Sequence, residues 1–351
     1  MSFATQGSTA IAEPITKPSR SNTVDIMKGI AISLVTYGHT MQGMAPRGWW
    51  RGPWFLFNDS FIYSFHMPVF FFTAGLFVMK SLERRGVKNF VGEKLKTILY
   101  PYVLWAILYA VLEPFITRFK NTHHPFELKA FLLTLSDGNQ GWFLYALFGC
   151  MMIAVLTRKW PMWARVALGI VLGVLIKDWT PAIGMIAHEF CFMAVGMWVG
   201  TRWFEQLSAS SVVQTVAGFL GIMVFQSAMI LKFGYPNQWS YIPLGLTGTA
   251  AVALLSQAIE PTTVGDFFGW LGRASLGIFL IAAFVQGAAR ELLLRVAHTD
   301  EFWLQLLVPT VASTVIPAII WYQQDRLRIR WLFSWPGGKS SIGLSDARQG
   351  A

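Results

Sequence analysis

The sequence predicts an all-α bundle of about ten transmembrane helices with both termini in the cytoplasm. Three observations carry this. Hydrophobic residues make up 54% of the 351 residues and charged residues only 13%, whereas a soluble domain is about a quarter charged. The apolar residues gather into runs near the ~20 residues needed to cross ~30 Å of hydrocarbon. Lys and Arg concentrate in alternate connecting segments, which sets orientation.

The same composition excludes a soluble enzyme, a disordered chain, a collagenous protein and a disulfide-rich secreted domain. The net charge of +10 is assigned to loops facing an anionic inner leaflet, so the implied partner is a lipid bilayer and not nucleic acid. Cys150 and Cys191 both lie inside apolar runs. They are read as reduced packing residues, and no metal site is expected from them.

In chain order, residues 1–23 are polar and rich in Ser and Thr, and read as a flexible cytoplasmic tail. The membrane domain covers 24–325, with spans near 26–44, 61–79, 97–117, 142–157, 162–176, 182–200, 212–231, 240–258, 271–289 and 303–322. The fourth and fifth are short. Residues 326–351 form a basic cytoplasmic tail. With the N-terminus inside, nineteen of the 28 Lys and Arg fall on cytoplasmic segments. Six of those, Lys80, Arg84, Arg85, Lys88, Lys94 and Lys96, sit in the loop after the second span. The implied location is a membrane crossed many times.

Ionisable residues within a span are costly and point to function. The first span, DIMKGIAISLVTYGHTMQG, carries Lys28 and His39. Eleven helical steps of about 100° end within about 20° of three full turns, so the two share a face about 16 Å apart along the axis. Lys28 then lies near the cytoplasmic interface and His39 in the outer half, where a low-dielectric setting keeps a buried imidazole neutral. The second span opens SFHMPVFFFTAGLF. His66 shares the depth of His39, and Pro68 leaves the carbonyl of Ser64 without its helical donor. The sixth span adds His188 and Glu189 in its outer half. Adjacent helical residues diverge by about 100°, so one of them faces a cavity, and Glu189 carries the greater weight. Asp137, Asn139 and Gln140 form a polar turn before the fourth span, where Trp142 is an interface anchor or a cavity wall. Most basic residues of the loop after the second span need only the inside-positive rule, and a subset near Lys94 and Lys96 could also meet a phosphorylated cofactor. Gly169–Gly173 and Gly196–Gly200 have small-xxx-small spacing and read as packing contacts. Phosphate-loop, zinc-protease and serine-hydrolase motifs are missing from the sequence.

These motifs resemble the acyltransferase 3 family of integral-membrane O-acyltransferases, particularly its fucose 4-O-acetylase-like and exopolysaccharide acetyltransferase branch. VDIMKGIAISLVTYGHT is similar to that family's first span, with a basic residue, ten residues, then a histidine. SFHMPVFFFTAGLF is similar to its second, with His66, Pro68 and Gly75 in place. KLKTILYPYVLW, GWFLYALF and LGRASLGIFLIAAF support the match, which covers about residues 24–325. Where many relatives carry a late-helix histidine, this chain has Ala282 and Ala283. Some relatives add a C-terminal esterase-like domain, and the expectation is that transfer here finishes within the membrane domain.

The resemblance implies acetyl-CoA as a cytoplasmic acyl donor and a saccharide acceptor, lipid-linked or polymeric, on the periplasmic side. Exopolysaccharide modification and contact with polysaccharide-assembly machinery would suit such a protein. It implies that His39 acts either as general base or as a covalent acyl carrier. Lys28 would hold the donor, and His66 would orient His39 or bind acceptor. A secondary transporter is the main rival, but it would often show inverted repeats, which are not evident. Bis-histidine haem between the first two spans is the other, and a visible spectrum tests it.

Overall fold

Each of the ten apolar runs falls on helix in the computed structural model, which describes residues 22–116, 141–176, 181–200, 212–234 and 238–336. The helices are α1 (Thr23–Met44), α2 (Pro53–Tyr63), α3 (His66–Lys94), α4 (Tyr100–Ile116), α5 (Trp142–Leu156), α6 (Met162–Leu175), α7 (Pro181–Val199), α8 (Val212–Phe233), α9 (Gln238–Ile259), α10 (Thr263–Arg273), α11 (Ser275–Arg295) and α12 (Phe302–Tyr322). No strand occurs among the described residues. The protein is an all-α polytopic membrane helix bundle. Five helical stretches are long and apolar enough to cross a bilayer: Pro53–Leu112, Val213–Phe233, Tyr241–Ile259, Ser275–Arg295 and Phe302–Tyr322. The first exceeds any single crossing and is broken internally. α5 and α6, at 15 and 14 residues, reach only about 20 Å each.

α1 is the central element. Its start is held from outside: Glu260 accepts from the backbone N–H of Asn22 at 2.7 Å and of Thr23 at 3.1 Å, and from the Thr23 hydroxyl at 2.6 Å. An anionic cap on free N–H groups is the favourable arrangement at a helix N-terminus. α10 then lies against α1 with backbones nearly touching. A Cβ on Gly29 would run into the carbonyl of Phe268, and one on Gly272 into the carbonyl of Asp25. α3 and α7 meet in the same way at Gly75 and Gly196, and α6 meets α7 where Gly169 faces the backbone of Cys191. Without a water-driven force between helices in lipid, close backbone approach is what holds such seams. Gly200 does something else: it ends α7 at φ +61° with open space around it, as a left-handed C-terminal stop.

Three expectations need correction. The second run is not one helix from residue 61. α2 ends at Tyr63, Phe65 takes φ −142°, and α3 begins at His66; Pro68 cannot donate to the carbonyl of Ser64, so a continuous helix would lose that bond. The basic segment after it is not a loop. α3 continues to Lys94 with a break at Gly86 (φ 73°, ψ 161°) and passes through a π-helical turn, Leu95–Leu99, into α4. Leu82 and Phe90 are buried there while Arg84, Val87 and Lys88 are exposed. Such an amphipathic helix is missed when apolarity alone is sought. The ninth run is divided at Ala274, so that α10 and α11 are separate helices. Beyond α12 the chain packs back on α4 and the π-helical turn before it: Trp105 donates to the carbonyl of Leu332 at 2.8 Å, and the N–H of Trp335 to the carbonyl of Lys96 at 3.1 Å.

Candidate active site

Lys28 and His39 occupy one stripe of α1, and the structure gives each a different setting. Lys28 is half-buried, pairs with Asp25 at 2.6 Å, and lines a cavity of about 290 Å³. The cavity lies between α1, α3, the π-helical turn, α5 and α11, with Thr73, Thr97 and Ser275 as its few neutral polar lining residues. Ile32 also lines it, one turn along from Lys28. From Ile32 to His39 is two further turns, about 10.5 Å of rise. The stripe thus leads from the cavity to the histidine.

At the other end, His39 is exposed rather than buried. Thr40, about 100° round the helix, and Thr36, about 60° round it, are both buried. The Thr36 hydroxyl meets that of Thr314 at 2.6 Å, Gln286 donates to the Thr40 hydroxyl, and Arg290 donates to the Thr40 carbonyl at 2.9 Å. Turning α1 would strand these buried polar groups, so the network fixes which way His39 points.

Tyr63 stands between the two predicted histidines. Its ring centre is 6.4 Å from that of His39 and 4.7 Å from that of His66, edge-on to both. It comes this close to α1 because position 38 is glycine, where a Cβ would lie 3.0 Å from the Tyr63 ring. His66 is buried, and its Nδ1 lies 2.7 Å from the carbonyl of Ile62. The same carbonyl accepts from the N–H of Phe65 at 3.3 Å in the turn between α2 and α3. In the neutral ring the His66 contact requires the proton on Nδ1 and leaves Nε2 as an acceptor. His39, Tyr63 and His66 therefore form one aromatic row at the end of α1 remote from Lys28.

The remaining predicted residues fall elsewhere. Glu189 is buried on α7, accepts from the Tyr241 hydroxyl at 3.0 Å, and lies 3.6 Å from His188. His188 stacks on Tyr241 with ring centres 3.8 Å apart. Glu189 thus belongs to a second polar cluster between α7 and α9. Lys94 lies over the Phe90 ring at 5.3 Å and 4.0 Å from Glu93, while Lys96 is exposed. Neither lines the Lys28 cavity, although Thr97 beside them does. Trp142 stacks on Phe71 at 6.5 Å, and the residues that follow it, Phe143 and Leu144, line the cavity in its place. Asp137, Asn139 and Gln140 lie outside the described residues. Among the described residues, no three His, Cys, Asp or Glu side chains converge as metal ligands.

Sequence reasoning missed Tyr63, Gln286, Arg290 and Thr314. Gln286 and Arg290 carried a signal, since both interrupt the apolar run of α11. Tyr63 carried none, because an aromatic in a span reads as lipid-facing or core.

Two nodulation proteins NolL are similar to this chain. That of Mesorhizobium japonicum is 30% identical over 148 residues, covering 40% of this chain and 36% of its own length. That of Sinorhizobium fredii is 29% identical over 186 residues, covering 51% and 48%. The chain therefore spans less than half the length of these curated relatives. No solved structure matches significantly. The model of the acyltransferase domain matches residues 21–322, which takes in α1 through α12, the Lys28 cavity and the His39–Tyr63–His66 row: the chain belongs to the acyltransferase 3 family.

Proposed function

We propose that the protein is a membrane O-acetyltransferase that moves an acetyl group from cytoplasmic acetyl-CoA to a hydroxyl of a periplasmic or lipid-linked saccharide. The observation that supports this best is the α1 stripe: a cavity containing a cation at one end, and an exposed histidine two to three turns away at the other. The apolar cavity suits the thioester end of the donor, and Lys28 suits its anionic portion at the membrane surface, where partial desolvation strengthens the contact. Exposed His39 is open to an acceptor from the outer side.

In direct transfer, His39 takes the proton of the sugar hydroxyl as that oxygen attacks the thioester carbonyl. The tetrahedral intermediate collapses, the C–S bond breaks, and the proton passes to the departing thiolate. The products are the O-acetyl sugar and coenzyme A. His66, fixed by the carbonyl of Ile62, acts through Tyr63 to hold the row in place. Covalent transfer through acetyl-His39 uses the same residues in two steps. Exopolysaccharide modification is the cellular role that this reading favours.

The deciding experiment is mass spectrometry of surface glycans from cells with and without the gene, together with purified protein supplied with labelled acetyl-CoA. Loss of O-acetyl groups on deletion and coenzyme A release dependent on His39 are expected. Unchanged glycans together with labelled acetyl-CoA that neither binds nor turns over would end this reading.

A further inference from the structure

Arg290 sits on α11 beside the His39 end of α1, and among the described residues no carboxylate pairs with it. Its Nη2 donates to the carbonyl of Thr40 at 2.9 Å. Its Nε is buried without a hydrogen-bond partner, and Nη1 has none among the described residues either. Glu291, next in the chain, is already shared: Arg295 holds it at 2.6 Å and Arg47 at 3.5 Å. Asp59 accepts from Gln42 at 2.9 Å. A half-buried cation within an apolar helix is costly unless a counter-ion reaches it.

The guanidinium also has a defined seat. A Cβ at position 43 would run into Nη1, so Gly43 is what lets the charge lie against α1 instead of reaching for headgroups. Gly43 is one turn from His39 on the same face, about 5–6 Å between Cβ positions. The approach is clear: Gly287, one turn before Arg290, is exposed, and a Cβ there would meet nothing within 4 Å.

We infer that Arg290 is an anion-binding residue of the acceptor site, and that the acceptor is a saccharide bearing a carboxylate or phosphate on the acetylated sugar or its neighbour. The inference rests on the acceptor reading above. With the anionic group on Nη1, a hydroxyl one sugar ring away lies over His39. A hydrogen bond to an anion is stronger than a neutral one, and burial of the rest of the guanidinium limits its screening by water. A neutral sugar leaves the charge unmatched.

The test is titration of full-length, detergent-purified protein with methyl glucoside, methyl glucuronoside and glucose 1-phosphate, followed by tryptophan fluorescence. Wild type should bind at least one anionic sugar about tenfold or more tighter than methyl glucoside, the effect of a charged hydrogen bond. Tighter binding of the glucuronoside assigns a carboxylate, and of the phosphate a phosphorylated or diphosphate-linked acceptor. Arg290→Gln should erase the preference, and Arg290→Lys should keep part of it. Because the readout is a ratio within one protein, a fold defect that weakens all three sugars alike leaves it unmoved. Equal affinity of wild type for the three sugars, binding of none of them, or a preference that persists in Arg290→Gln would overturn the anion site. So would a preference abolished by phosphatidylglycerol in the micelles, which would give Arg290 to lipid headgroups. Acetyl-CoA turnover that continues in these cases leaves the transferase reading standing. A charge preference in a protein that neither binds nor turns over acetyl-CoA would end the transferase reading and keep the anion site.

Discussion

The two ends of α1 are secured by different means. At the Lys28 end Glu260 caps the first turn, and past that cap the helix is keyed by shape: Gly29 and Gly272 let α1 and α10 meet backbone to backbone, beside an apolar cavity with the Lys28–Asp25 pair at its edge. At the His39 end it is keyed by hydrogen bonds: Thr36, Thr40, Gln286, Arg290 and Thr314 link α1 to α11 and α12. Shape-keyed packing tolerates sliding until atoms collide, but it leaves apolar volume that a thioester tail can fill. A hydrogen-bond key tolerates little rotation, because each misaligned donor or acceptor is left buried and unmatched. On the proposed mechanism, the end where a proton is moved is the one fixed in rotation.

The largest effect is expected at His39. His39→Ala should reduce transfer by about 10²–10⁴-fold, the range of a lost general base, while the protein still inserts and binds acetyl-CoA. A glycan O-acetyl assay measures it. Activity within about threefold of wild type, far below that range, would detach the outer end from the chemistry.

The shape key can be broken next. Gly272→Ala places a methyl against the carbonyl of Asp25, and overpacking of this kind costs about 1–3 kcal/mol. Thermal unfolding in detergent should show a lower Tm. Gly221→Ala in α8 meets nothing within 4 Å and is the control expected to leave Tm unchanged or raised. Equal behaviour of the two glycines would show that the α1–α10 seam is not a point of close packing.

Lys28 separates charge from shape at the cavity edge. Lys28→Ala should weaken acetyl-CoA binding by about tenfold, about 1.4 kcal/mol, while Lys28→Arg keeps most of it. Direct titration of the three proteins decides. Equal affinities in all three would leave Lys28 as an anchor whose ammonium reaches for the headgroups.

The smallest effect is expected from Thr314→Val. It removes one buried hydroxyl pair with Thr36, worth about 0.5–1.5 kcal/mol. Its use lies in the direction of the effect. If hydrogen bonds orient His39, kcat should fall more than acetyl-CoA affinity. A uniform loss in both would mean that the network merely stabilises the bundle.

Sequence alone determined the all-helical membrane bundle, the positions of its apolar helices and the shared face of Lys28 and His39. Those features follow from composition and from a fixed 100° step, and both act locally. It singled out His66 as well, because an ionisable residue inside an apolar run is costly, but it did not show the helix break beside it. It could not show that Tyr63 stands between the histidines, which depends on the absence of a side chain at Gly38 on another helix. Nor could it show that His39 is exposed while Thr40 is buried, that Glu189 turns toward Tyr241, or that Phe143 and Phe279 wall a cavity beside Lys28. Each depends on which helix lies opposite. In lipid that choice is made by close backbone contact and by satisfying buried polar groups across helices, and no single segment carries either in its own pattern.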